Sequence, residues 1–160
     1  MRIGIIGPGK LKKKEEIKKV AEILSKLDVE IVMTPDKKST SEFFAKEYLK
    51  FGGKKVFVIV PLEDKEFGYS WVNLELGENV NCVSWRNQPE KLNEECDLLI
   101  SLGYSVGGLI EICYSKWFKK KSVYILEEFV DSKLPEELEE SLDLIYLKIN
   151  DLEDRLKDGR

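Results

Sequence analysis

Histidine is absent from all 160 residues of this chain. Without an imidazole base, no Ser-His-Asp or Cys-His nucleophile can be assembled within one chain, and zinc sites that need histidine are excluded too. Cysteine is scarce: Cys82, Cys96 and Cys113 form no C-x-x-C pair. The expectation is therefore buried free thiols, with no metal and no resident cofactor. No apolar run approaches the roughly 18 residues of a membrane span. Arg2–Ile6 is too short for a signal-peptide core and leads into a charged helix, so the expected location is the cytoplasm, with no membrane partner. A basic excess is also missing. Lysine and arginine number 26 against 30 acidic residues, a net charge of −4, and nothing points to nucleic acid. Gln88 is the only glutamine, while Lys and Glu dominate the charged residues, a bias expected of proteins from hot environments.

What the chain does contain is 42% hydrophobic and 35% charged residues, the balance of a globular protein, and 160 residues can close a sizeable core without staples. One domain over 1–150 with a charged tail at 151–160 is the economical division.

The most informative stretch is Asp97 to Glu111. Asp97–Leu102 is a short apolar run without alternation, as in a strand covered on both faces of a parallel sheet. Gly103, Gly107 and Gly108 break the run, and Leu109, Ile110, Ile112, Cys113 and Trp117 then recur at helical spacing. A glycine-rich strand-to-helix turn offers unpaired backbone N–H groups and the positive end of a helix dipole, a seat for phosphate; the plain alternative is a tight turn that binds nothing. The same residues spell Gly103-Tyr-Ser105-Val-Gly107, the pattern of a nucleophile elbow. With no histidine to activate it, Ser105 is read as a ligand-binding hydroxyl or a turn residue rather than the nucleophile of a serine hydrolase.

A second turn of this kind lies near the start. Arg2–Ile6 reads as a strand, and Gly7, Pro8 and Gly9 turn the chain into a helix with Ile17, Val20, Ala21, Leu24 and Leu27 on its apolar face. Neither a dinucleotide fingerprint nor a P-loop is met, since Lys12 and Leu11 stand at the required positions. A Gly-Pro-Gly turn at a strand's carboxyl end remains, where open α/β sheets place ligands.

The rest keeps the same rhythm. Strands are predicted at 29–33, 55–60, 80–85, 122–126 and 144–149, and helices at about 43–51, 89–95, 109–118, 136–141 and 151–160, with Thr34–Ser41 as a polar loop supplying helix caps. Lys119–Lys121 suit a helix C-terminus. Between Pro61 and Gly77 the pattern weakens around Phe67, Gly68, Tyr69 and Trp71, read as an aromatic lid or a surface excursion packed back on the core. Alternation of strand and helix argues for an α/β fold with a doubly wound, mostly parallel sheet.

Three segments, Ile3–Gly7, Ala45–Pro61 and Trp85–Glu111, resemble the Lonely Guy and DNA-processing-protein superfamily of Rossmann-like nucleotide-binding proteins, including its lysine-decarboxylase-like members. That resemblance implies a single Rossmann-like domain, a homodimer, and a nucleotide or other phosphorylated small molecule as ligand. Its enzymes are nucleoside 5′-monophosphate phosphoribohydrolases with a P-G-G-x-G-T-x-x-E loop and an upstream arginine. Matching the glutamate to Glu111 places Gly107 on the loop's last glycine, Gly108 on its threonine and Gly103 on its proline. Tyr104 and Ser105 replace the paired glycines. The resemblance thus implies Glu111 and Arg86 as catalytic residues, with Gly103, Tyr104, Ser105, Gly107 and Gly108 around the ligand; Gly7, Pro8 and Gly9 join them as the other glycine turn at a strand's carboxyl end. A carboxylate at Glu111 would stabilise the positive charge of a breaking N-glycosidic bond, and the Arg86 fork would grip phosphate. A non-catalytic nucleotide sensor is the alternative reading. The residues alone leave Glu111 open as an ordinary first-turn glutamate and Arg86 as half of a surface ion pair.

Overall fold

The computed structural model describes residues 1–119 and 121–159; Lys120 of the basic run and Arg160 at the end of the predicted terminal helix lie outside them. Seven strands, β1 (Arg2–Ile6), β2 (Glu30–Met33), β3 (Val56–Val60), β4 (Glu78–Asn81), β5 (Leu98–Ser101), β6 (Ser122–Leu126) and β7 (Asp143–Leu147), form one sheet in the order β4-β3-β2-β1-β5-β6-β7. Every pairing is parallel. Helices cover both faces, so successive residues of each central strand are buried on opposite sides. Val56, Val58 and Val60 belong to one core and Phe57 and Ile59 to the other, which is why these strands read as unbroken apolar runs.

The first core packs α1 (Lys14–Ser25), α2 (Thr40–Lys50) and α6 (Leu152–Asp158) against the sheet; the second packs α3 (Gln88–Glu95), α4 (Val106–Tyr114) and α5 (Glu136–Ser141). In α1 the buried residues are Ile17, Val20, Ala21 and Leu24, the stripe its spacing predicts. Tyr48 of α2 is buried whole, yet its hydroxyl donates to the Val29 carbonyl at 2.7 Å and accepts from the Lys54 amide at 2.8 Å.

Several boundaries differ from the sequence reading, each for a local reason. Strand β4 ends at Asn81 instead of running to Trp85. There the Asn81 carboxamide oxygen accepts from the amides of Leu62 (3.1 Å) and Val83 (2.9 Å), a side-chain turn that competes with the ladder, and Val83 sits at φ 74°. Helix α4 starts three residues early because the Ser105 hydroxyl caps it, accepting from the Gly108 amide at 3.1 Å. The cysteines divide: Cys82 and Cys96 are buried, but Cys113 is exposed, against the expectation of buried thiols. Phe44 belongs to the core and Phe43 packs against it, whereas Val106, Ile110 and Trp117, on α4 and the turn after it, are exposed.

Leu152 and Leu156 of α6 are buried in the first core. Leu152→Ala is accordingly expected to cost about 2–5 kcal/mol of unfolding free energy, read from the urea midpoint; a loss below about 0.5 kcal/mol, the size of an ordinary surface substitution, would mean that α6 frays in solution.

Candidate functional site

Strand β1 pairs with β5 from Ile3 to Ile6, Ile6 lying beside Ser101, and the Leu102 amide donates to the Ile6 carbonyl at 2.7 Å. Beyond that last bond the chains part. The chain leaving β1 turns to α1 on one face, and the chain leaving β5 turns to α4 on the other. This reversal opens a crevice at the carboxyl ends of the strands, and it sets the Gly7–Lys10 and Gly103–Gly108 loops side by side.

A cavity of about 420 Å³ occupies the crevice, with Gly7, Gly9, Ser105, Gly107, Gly108 and Glu111 on its lining. Two helices begin at its wall. Ser39 caps α2 by accepting from the Glu42 amide at 3.1 Å, as Ser105 caps α4, and Ser39 and Ser41 also line the space. Both helix N-termini therefore present partial positive charge to one volume. The glycines serve different ends. A Cβ on Gly7 would come within 2.7 Å of Thr40 Cγ2, and one on Gly108 within 2.8 Å of Ile6 Cγ2, so both are required by packing. Gly9 and Gly107 have open space where a Cβ would stand.

The floor is acidic. Glu111 Oε1 accepts from Gln88 Nε2 at 2.8 Å, and the same amide nitrogen donates to Thr34 Oγ1 at 2.6 Å. From α3, Asn93 Nδ2 donates to the Glu111 carbonyl at 3.0 Å, so the residue is gripped at side chain and backbone. Burial pushes the Glu111 carboxyl up to about 7, the Gln88 hydrogen bond partly opposes this, and the nearby negative charge of Asp36 adds to the rise. Asp36, also on the lining, is raised to about 6 by burial, and its Oδ1 is buried without a hydrogen-bond partner. Two carboxyl groups thus titrate near neutrality in one cavity.

Opposite them stands an aromatic wall. Trp71 and Trp85 stack with ring centroids 5.3 Å apart and planes 11° from parallel, and both line the cavity. Their position is fixed by Asp64, whose carboxylate accepts from the amides of Phe67 (2.8 Å) and Trp85 (2.9 Å), and by the Trp85 indole N–H, which donates to the Gly68 carbonyl at 2.7 Å. The aromatic excursion at 67–71 is thereby pinned over the crevice.

Not every expected residue is here. Arg86 is turned to the surface, 73% exposed, with Nη1 2.7 Å from Glu66 Oε2, and no arginine or lysine lines this cavity among the described residues. Pro8, Gly103 and Tyr104 face a second cavity across the loop wall. Ser105 is committed to capping. Thr34, Asp36 and Gln88 are added by the structure, which also brings Trp71 of the aromatic excursion to the cavity beside Trp85. Thr34 directly follows β2 and Gln88 opens α3, and the lone glutamine of the chain is the residue holding Glu111.

No family model and no curated protein matches this chain by sequence. Solved structures do match its fold. The molybdenum cofactor binding protein from the phototrophic bacterium Rippkaea orientalis superposes with a TM-score of 0.71 at 14% identity, over 99% of this chain and 96% of its own. The structural-genomics target TM1055 gives 0.72 at 15%, over 98% of each chain. The Moco carrier protein from Chlamydomonas reinhardtii gives 0.70 at 13%, over 98% and 95%. These likenesses show the fold, the Rossmann-like, parallel α/β sheet that the alternation of strand and helix predicts. No helix among the described residues is long and apolar enough to cross a membrane.

The raised carboxyls have a measurable consequence. A carboxyl with a higher pKa in the folded protein binds its proton more tightly there, so its stabilising contribution is full below the unfolded value and is lost as pH climbs through the folded one. For Glu111 that window runs from 4.5 to about 7, and for Asp36 from 3.8 to about 6. Stability against urea should therefore decline across this range, and Glu111→Gln or Asp36→Asn should each flatten part of the decline; parallel profiles for the wild type and both variants would contradict the assignment.

Proposed function

We propose that this protein binds a phosphorylated, ring-bearing small molecule in the crevice, a nucleotide or a cofactor of similar build, and holds it without cleaving it. The observation that supports this reading is the convergence of two capped helix N-termini and a stacked indole pair on one cavity. Helix N-termini favour a phosphate, and indole faces favour a flat ring. Proteins that share the fold include a molybdenum cofactor binding protein and a Moco carrier protein, and a carrier needs binding chemistry without turnover. Absence of catalysis accords with Arg86 lying outside and ion-paired to Glu66.

A phosphoribohydrolase is the second reading, favoured by one observation. Glu111 lines the cavity with its carboxyl near neutrality, beside a second carboxyl. Such a group can shed or take a proton at working pH and can stabilise an oxocarbenium-like ribose.

The readings separate experimentally. In a thermal-shift screen against nucleoside mono-, di- and triphosphates, a ligand that binds only the folded state raises the melting temperature by mass action. Gly107→Val fills open space and should fold normally, yet it obstructs approach to the start of α4, so the shift should vanish in this variant. Under the binding reading no free base appears over hours. Base release that falls about 100-fold to 1,000-fold in Glu111→Gln, the usual cost of one electrostatic catalytic group, would replace it with the enzyme.

A homodimer is part of the same proposal. Val106, Ile110 and Trp117 are exposed at 79%, 46% and 75%, and their spacing puts them on one side of α4 and its extension, an apolar strip suited to a second copy. Sedimentation should show a dimer for the wild type and a shift towards monomer for Ile110→Asp; a wild-type monomer at high micromolar concentration would contradict it.

A further inference from the structure

Behind the wall made by Gly7–Gly9 and Gly103–Ser105 lies the second cavity, of about 380 Å³, and its chemistry is the reverse of the first. Where the first holds two carboxyls and no cation among the described residues, the second is lined by Lys10, Lys12 and Lys13 against one carboxylate, Asp131. None of the three lysines forms an ion pair with an acidic side chain among the described residues. Yet the chain as a whole is acidic, at −4.

The lysines are displayed by a built loop. Lys13 adopts φ 52°, and its ammonium donates to the Glu128 carbonyl, fastening the β1–α1 loop to the segment after β6. On the other side Gly103 adopts φ +120°, and a Cβ there would meet Pro8 Cδ at 3.3 Å and the Phe129 carbonyl at 3.4 Å. The Thr40 amide donates to the Pro8 carbonyl at 3.1 Å, closing the wall between the cavities. The result is a concave space with three exposed lysines on its lining, and positive charges on one cavity favour an anion within it.

We infer that this second cavity is an anion site that takes a phosphoryl group, gripped by Lys10, Lys12 and Lys13. The inference stands apart from the reading of the crevice, since it rests on different side chains. The phosphoryl group has two sources. It is either the outer phosphate of a ligand whose ring lies in the first cavity, passing over the glycine wall, or that of a separate phosphorylated molecule.

Pyrophosphate is the probe. Isothermal titration of the full chain should give saturable binding, one per chain, that weakens by about tenfold or more in the Lys10→Ala/Lys12→Ala variant and falls steeply with added salt, as contacts between exposed charges do. Lys13, with its tie to Glu128, is left in place so that the variant keeps its fold. Pyrophosphate binding that is lost in Gly107→Val and kept in the lysine variant would put the anion in the crevice and overturn the inference. If a nucleoside diphosphate binds more tightly than its monophosphate and the lysine variant erases the difference, one ligand spans both spaces. If monophosphate and pyrophosphate bind together without competition, the second cavity serves a separate molecule. Absence of saturable pyrophosphate binding, or binding equal in the wild type and the lysine variant, overturns the inference. Neither failure touches the crevice reading, which is tested by nucleotide response and its loss in Gly107→Val.

Discussion

Everything about the site follows from the parting of β1 and β5. As parallel neighbours they share a ladder up to the bond from the Leu102 amide to the Ile6 carbonyl, and their continuations then go to opposite faces of the sheet. A parallel sheet must be covered on both sides, and the strand where coverage changes sides is where no helix can seal the carboxyl edge. The opening is therefore a by-product of burying two apolar faces. The glycines serve that geometry first: Gly7 and Gly108 are small because Thr40 and Ile6 press on them, whether or not a ligand arrives.

On this frame the charges are sorted. Carboxyls collect in the crevice and lysines behind the loop wall. An unsatisfied buried oxygen at Asp36 and a Glu111 carboxyl lifted to about 7 are destabilising features of the kind that persist where a ligand or a reaction uses them. The helix N-termini of α2 and α4 supply the opposite polarity within the same cavity without any cationic side chain, so a phosphate there is held by backbone dipoles while the rest of the ligand faces acceptors.

Much of the frame was legible in the sequence because parallel strands announce themselves as apolar runs and glycines mark their exits. The α1 stripe and β6 were read to the residue or nearly so. Strand β4 was misplaced because the Asn81 side chain takes over the turn, a competition invisible to periodicity. The site was half legible. Gly7, Gly9, Ser105, Gly107, Gly108 and Glu111 do converge, since each sits at a strand exit or in the first helical turns. Arg86 lies apart from them: one residue from Trp85, it is exposed and ion-paired to Glu66, and sequence spacing in an irregular loop carries no facing. The stacking of Trp71 on Trp85 and the place of Asp36 beside Glu111 are not legible, because these partners are separated in the chain and meet only through the fold.

The central claim is that the crevice receives a phosphorylated, ring-bearing ligand against its indole wall, and the protein carries its own reporter. Of its three tryptophans, Trp117 is 75% exposed, so in a Trp117→Phe variant excited at the red edge, where tyrosine does not absorb, only Trp71 and Trp85 emit, both at the site. Titration of that variant with nucleoside monophosphates and diphosphates should give a saturable change in intensity for at least one of them, because a ring placed on a stacked indole pair alters its emission. Emission that stays flat up to millimolar ligand for the whole series would contradict the account.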